Sequence, residues 1–319
     1  MKTLLLLLVA FVTISRSEPS ISQVLHGLFY DNVNDSSVYY GALDLDASRL
    51  TIINTLSIDQ IGNPNERKYT GLPMAYDPTH DLIFTAAANL QKQVILSSIN
   101  ATSGALLNTF TSTFVNIVSL QYDIFQQQLF AHVETDTENR TEIIEIYTNN
   151  GTIKRVLATI DNAQPTDISS YCPICRKYFL MLLRNNRFVY VGVDSTDTGG
   201  ISWQSPMDFS PVSIRFDYKT FIMYAAYINR THSMIGIVNR TSGSISEVVA
   251  TISNDSNLLV TGLSAFTIAD KIYYTSTIIR SPYSLGVSYV NVNTSQSTVD
   301  PLTAIPYHPY AWLVKEYVH

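Results

Sequence analysis

The chain repeats itself, and the repeat restricts it to a small set of architectures. An aromatic residue, most often followed by Asp, stands at Tyr76-Asp77, Tyr122-Asp123, Tyr171-Cys172, Phe216-Asp217 and Phe266-Thr267. In all five, the second residue is followed seven positions later by Phe or Tyr (Phe84, Phe130, Phe179, Tyr224, Tyr274). The opening aromatics lie 45 to 50 residues apart. A fixed period of that size marks stacked supersecondary units, none of which can bury its apolar face alone. A second turn recurs in step with the first, at Leu45-Asp46-Ala47-Ser48, Asn100-Ala101-Thr102-Ser103-Gly104, Asn149-Asn150-Gly151, Asp197-Thr198-Gly199-Gly200, Asn239-Arg240-Thr241-Ser242-Gly243 and Asn293-Thr294-Ser295. Asn and Gly there tolerate the positive φ that tight hairpins need. Each unit reads as four short strands, a to d. Strand a ends at the aromatic pair and b follows the first turn (Leu82 to Ala88 in the second unit). Strand c precedes the second turn (Val94 to Ile99) and d follows it (Ala105 to Phe110).

Four antiparallel strands repeated at this period predict an all-β chain folded as a β-propeller. There are six second turns but five aromatic pairs. The ends supply the difference: Val24 to Tyr30, Val38 to Leu45 and Arg49 to Leu56 read as strands b, c and d of a first unit, and Pro306 to Tyr317 as its strand a. The expectation is a six-bladed ring closed by N-terminal strands b, c and d with a C-terminal strand a, which leaves no open sheet edge. Tyr30-Asp31, which lies 46 residues before Tyr76-Asp77, makes seven blades the alternative. The aromatic-Asp turn and the Asn/Asp-x-Thr-Ser-Gly turn resemble the YncE/NHL-type propeller repeats of secreted proteins. The resemblance spans nearly all of residues 18–319, read as a single propeller domain, and carries no catalytic residues with it.

Residues 1–17 read as a signal peptide, with Lys2 ahead of an apolar run from Leu4 to Ile14 and small Ser15 and Ser17 before the cleavage point. That run is too short for a typical membrane span, and no later stretch reaches about 18 apolar residues. The mature chain is therefore expected to be secreted, extracellular or within a secretory or lysosome-like lumen, with no membrane span. Eight Asn-x-Ser/Thr sequons, at Asn34, Asn100, Asn139, Asn150, Asn229, Asn239, Asn254 and Asn293, fit that compartment. Only 14% of residues are charged, and glycans would help such a surface stay soluble. The net charge of −6 and the lack of any Lys/Arg block argue against nucleic acid as a partner.

Cys172 and Cys175 are the only cysteines. No second CxxC or paired His accompanies them, as a zinc site requires, and the repeat makes the following segment a strand rather than the helix of a redox motif. A structural disulfide pinning the a–b turn is the expected state in a secreted protein. Asp77, Asp123 and Asp217 recur once per unit, so they are expected to tie down their own turns by accepting backbone N–H bonds.

No nucleophile elbow, Gly-rich phosphate loop or metal triad occurs. The b–c loops carry Arg140, Arg184, Arg187, Arg230 and Arg280. Of these, Arg184, Arg187, Arg230 and Arg280 are the candidate rim for an acidic extracellular protein or glycan ligand. The expected function is an extracellular binding or scaffold module that needs no cofactor. The alternative is a calcium-dependent hydrolase resembling the lactonase-like six-bladed propellers, with Asp167 and Asn116 as metal ligands where strand a begins.

Overall fold

In a computed structural model, residues 24–30, 37–44, 49–62, 73–89, 91–137, 139–196, 199–207, 209–218, 220–229, 232–253, 258–268, 271–278, 284–292, 296–298 and 308–314 are described. Strands β1 (Val24–Tyr30), β2 (Ser37–Asp44) and β3 (Arg49–Ser57) open the chain, and a one-turn helix, α1 (Ile58–Ile61), leads into the repeats. Blade I consists of β4 (Met74–Asp77), β5 (Leu82–Ala88), β6 (Val94–Asn100) and β7 (Leu106–Thr111). Blade II holds β8 (Asn116–Asp123), β9 (Gln128–Glu134), β10 (Arg140–Ile146) and β11 (Ile153–Asp161). Blade III holds β12 (Gln164–Cys172), β13 (Lys177–Arg184), β14 (Arg187–Asp194) and β15 (Ile201–Pro206). Blade IV holds β16 (Ser210–Asp217), β17 (Ile222–Asn229), β18 (His232–Val238) and β19 (Ile245–Ser253). Blade V holds β20 (Leu258–Ile268), β21 (Lys271–Ile278), β22 (Ser284–Asn291) and β23 (Gln296–Thr298). The last strand is β24 (His308–Val314).

Every sheet has four antiparallel strands, and in blades I to V sequence order is spatial order. One further sheet has the order β24-β1-β2-β3 and joins the two ends of the described chain. The inner strands β4, β8, β12, β16, β20 and β24 touch in cyclic order, with β24 meeting β4. The expected count of six or seven blades is thereby corrected at the level of the repeating unit. Five blades are continuous copies of the repeat, and the closing sheet is a composite with no a–b turn of its own. Seven is ruled out by register: β1, ending at Tyr30, is hydrogen-bonded on both sides, to β24 and β2, so it is a second strand and not an inner one.

The core follows from the pattern. Strands b and c are flanked by neighbouring blades on both faces, so they read as near-continuous apolar runs: β5, β6, β9 and β13 are almost wholly buried. The outer d strands alternate or are largely exposed. Apolar clusters sit between blades. One packs blade I against blade II through Phe84, Leu96, Leu120 and Tyr122, and another packs blade III against blade IV through Phe179, Tyr190, Phe216 and Met223.

The aspartates act as expected and do more. Asp77 Oδ1 accepts the backbone N–H of Thr79 at 2.9 Å and of His80 at 3.3 Å; Asp123 Oδ1 accepts those of Phe125 at 2.9 Å and Gln126 at 3.1 Å. In addition, the aromatic of the next blade reaches the same carboxylate. The Tyr171 hydroxyl donates to Asp123 Oδ2 at 2.6 Å, and the Tyr122 hydroxyl is hydrogen-bonded to Asp77. Blade III breaks the pattern at both ends together: Cys172 replaces the Asp, and the following aromatic is Phe216, which has no hydroxyl to place. Cys172 and Cys175 form a disulfide, with Cα atoms 5.5 Å apart.

Candidate functional site

Four of the inner strands carry bulges where their register against strand b shifts: at Ile117/Ser119 in β8, Pro165/Ser169 in β12, Pro211/Ser213 in β16, and Val260/Gly262 and Leu263/Thr267 in β20. In the β12 bulge Thr166, Asp167 and Ile168 all fall between the paired Pro165 and Ser169. A bulge re-aims side chains and ends pairing locally, which leaves Asp167 and Thr166 only half-buried on the inner strand. The Thr166 hydroxyl donates to the Met181 carbonyl at 2.6 Å.

Three inner strands meet in a polar network. Ser119 Oγ lies 2.7 Å from the Tyr178 hydroxyl, which donates to Ser169 Oγ at 3.2 Å. Gln121 Nε2 donates to the Ser169 hydroxyl at 3.1 Å and to its carbonyl at 3.3 Å, and Arg215 reaches that carbonyl at 3.4 Å. Burial raises the Tyr178 hydroxyl to about 12, partly offset by its two serine partners and by Arg215. Burial lowers the pKa of Arg215, partly offset by Tyr218, Tyr178 and Asp167. Asp167 therefore lies within electrostatic reach of the Arg215 guanidinium. Asn116, its supposed co-ligand, opens β8 opposite Glu134. Among the described residues no group of three or more His, Cys, Asp or Glu could hold a metal ion. Arg215 escaped sequence reasoning. Its signal was its position immediately before the aromatic, where the other units have Ala75, Gln121, Ser170 and Ala265.

The b–c loops sit at the opposite end of the blades from the a–b turns. Arg184 and Arg187 are paired across the β13–β14 hairpin, whose Asn185 and Asn186 both have positive φ (51° and 58°). Arg184 is committed to the neighbouring blade and its own outer strand: it donates to the Asp161 carbonyl at 3.0 Å, the Asn162 carbonyl at 3.3 Å and Gln204 Oε1 at 3.0 Å. Arg187 is exposed, and Arg140 pairs with Glu142 at 3.2 Å. Arg230 and Arg280 lie outside the described residues, as do residues 1–17, Asn34, Asn254 and Asn293. Among the other sequons, Asn139, Asn150 and Asn239 are exposed and Asn100 is half-buried. The side-chain oxygens of Asn100, Asn150 and Asn239 cap their own c–d turns.

On the a–b turn face, three consecutive blades each expose a large apolar side chain at the turn: Phe125 (55%), Ile174 (54%) and Phe221 (49%). Tyr218, in the blade IV turn, donates to the Tyr122 carbonyl of blade II at 3.4 Å, so these turns are drawn together across blade III. An exposed apolar residue alone is ordinary, whereas one at the same turn of three consecutive blades is a recurring feature of this end of the propeller. Sequence pattern hid this because each residue sits in a polar turn.

His132 lies beneath the network, on β9 opposite Ser119. It is completely buried, and neither ring nitrogen has a hydrogen-bond partner among the described residues. Burial lowers its pKa to about 3, with a small opposing pull from the Thr166 backbone. Between pH 6.5 and 3 the unfolded chain thus binds a proton that the folded one refuses. The contribution is whole above 6.5 and is lost as pH falls, by roughly 2 kcal/mol at pH 5. Urea unfolding at pH 7 and pH 5 should show His132→Leu losing about that much less stability than the wild type on acidification.

No protein-family model matches the chain, and no curated protein matches it. Solved structures do. Most of the chain (91%) aligns with 97% of a chain in a nidogen/laminin complex, at TM-score 0.57 and 11% identity. The Pseudomonas aeruginosa periplasmic gluconolactonase PpgL aligns at TM-score 0.56 and 10% identity, over 86% of this chain and 82% of that one. A putative 6-phosphogluconolactonase from Bacteroides uniformis aligns at TM-score 0.55 and 12% identity, over 90% and 83%. At such identities the likeness is one of fold, which hosts both binding proteins and enzymes. By topology and by these likenesses, the chain is a β-propeller.

Proposed function

We propose that this protein is a secreted, glycosylated propeller that binds an extracellular protein through its a–b turn face. The observation that carries the reading is the exposure of Phe125, Ile174 and Phe221 on three consecutive turns. Aromatic and aliphatic side chains of this kind, placed centrally and surrounded by polar groups, are what protein interfaces use as anchors. The leader at residues 1–17 and the sequons support an extracellular setting. The sequons also shape the approach. The c–d turns of blades I, II and IV carry Asn100, Asn150 and Asn239 on this same side, whereas the blade III turn, Asp197-Thr198-Gly199-Gly200, has no sequon. Glycans at these sites would leave the blade III c–d turn bare and flank the approach to Ile174 on the blade IV side. The nidogen/laminin likeness supports a binding role for this fold.

The test is site-specific photo-crosslinking in medium from secreting cells. The probe replaces Ile174 in one variant and Arg187, on the opposite face, in another. A discrete protein adduct from position 174 that disappears in the Phe125→Asp/Phe221→Asp background is the expected result. Adducts confined to position 187 would overturn the reading and move the site to the rim of Arg184, Arg187, Arg230 and Arg280. No adduct at either position would overturn protein binding at both faces.

A further inference from the structure

The Cys172–Cys175 disulfide occupies a place where the fold is built to hold an anion. In blades I and II that place belongs to a carboxylate, stabilised by two backbone N–H groups of its turn and a tyrosine hydroxyl from the next blade. In blade III the backbone N–H of Cys175 points at Cys172 Sγ, 3.1 Å away, as the N–H of Gln126 points at Asp123 Oδ1. The missing tyrosine hydroxyl is replaced by a full positive charge. Arg240, from the blade IV c–d turn, places its guanidinium NH1 3.4 Å from Cys172 Sγ and 3.9 Å from Cys175 Sγ, with its Cζ 5.9 Å from the centre of the Phe216 ring. The two sulfurs also differ in access, since Cys172 is fully buried and Cys175 is half-exposed beside the open Ile174.

We propose that this disulfide is a thiol–disulfide exchange site, with Cys175 as the attacked sulfur and Cys172 as the stabilised leaving thiolate. The co-reactant is a low-molecular-weight thiol such as glutathione. Its thiolate attacks Cys175 Sγ, forming a mixed disulfide. The Cys172–Cys175 bond breaks, and its electron pair leaves with Cys172 as a thiolate under Arg240 and the Cys175 N–H. A second thiolate then attacks the glutathione sulfur of the mixed disulfide. This releases oxidised glutathione and leaves both cysteines reduced, so two electrons pass from two thiols to one disulfide. Exchange quickens as the leaving thiol's pKa falls, and a neighbouring cation lowers that pKa. Opening the bond frees the Pro173-Ile174 turn, which places the exchange within the a–b turn face without depending on any partner bound there.

The experiment exposes the purified folded protein to reduced glutathione at neutral pH, quenches it with an alkylating agent and maps adducts by mass spectrometry, with near-UV circular dichroism reporting the fold. The expected adduct is glutathione on Cys175. Arg240→Gln, which leaves the Asn239-x-Thr241 sequon intact, should slow reduction by about threefold or more, and Arg240→Lys should restore part of the rate. In the reduced protein, thiolate absorbance against pH should place Cys172 below the ordinary thiol value of about 8.5 in the wild type and higher in Arg240→Gln. Glutathione on Cys172, equal rates in wild type and Arg240→Gln, or a bond that opens only as the dichroism signal is lost would each overturn the proposal.

Discussion

Asp123→Ala is expected to cost about 3–4 kcal/mol, because it removes the acceptor of three donors at once in a buried site. The carboxylate is fully buried and accepts the N–H groups of Phe125 and Gln126 on one oxygen and the Tyr171 hydroxyl on the other. Bonds to an ionised acceptor are the stronger kind, and leaving their donors unpaired carries the full desolvation penalty. Tyr171→Phe removes a single donor and leaves the turn intact, so roughly 1–1.5 kcal/mol is expected. The Tyr171 hydroxyl also lies 2.8 Å from Ser195 Oγ, so part of its satisfaction survives the loss of Asp123. The double variant should therefore lose less than the sum, which is the sign of a shared interaction. In thermal melts, Asp123→Ala should fall by about 10 °C, given roughly 2–4 °C per kcal/mol in chains of somewhat smaller size. A loss within 1 kcal/mol would mean the carboxylate caps its turn without joining the blades.

Gly243→Ala is expected to cost about the same, for a steric reason. Gly243 closes the blade IV c–d turn at φ +73°, and an added Cβ would lie 2.2 Å from Tyr190 Cδ1 and 2.7 Å from its Cγ. Tyr190 cannot withdraw: it is fully buried, with ring centroids 5.6 Å from Phe179 and 4.7 Å from Trp203. The left-handed backbone costs roughly 1–2 kcal/mol for any residue with a Cβ, and overpacking adds about 1–3 kcal/mol. Gly200→Ala separates the two contributions. Gly200 has φ +96° and nothing within 4 Å of an added Cβ, so only the backbone cost of about 1–2 kcal/mol applies. Equal losses in the two variants by urea unfolding would show that Tyr190 yields and that the blade interface is softer than its packing implies.

The two positions also show how far the pattern carried. A turn at Asn239 to Gly243 is legible because Asn and Gly suit positive φ, and that property is local. That Gly243 lies against Tyr190 of the preceding blade is not local, since 53 positions separate them (243 − 190). The aspartates repeat this division. Their capping of the a–b turns follows from residues two and three positions on. Their bond to the next blade's tyrosine became meaningful only once stacking placed Tyr171 against Asp123. Of the candidate site, the arginines of the b–c loops were read from their turns, but only packing showed Arg184 holding the carbonyls of Asp161 and Asn162.

By itself the sequence determined the strands, their turns and the stacking of repeated units, because apolar runs, turn residues and a constant period act over a few residues or recur along the chain. It also pointed to the cysteine pair as a clamp of the a–b turn, since three positions of separation put the two residues in that same turn. Only the tertiary structure decided what surrounds them: the guanidinium of Arg240 over Cys172, the sealed His132, the cluster joining Ser119, Tyr178, Ser169 and Arg215, and the shared exposure of Phe125, Ile174 and Phe221. Each depends on which blade faces which and at what height. Those relations are set by long-range packing between segments that carry no local trace of one another.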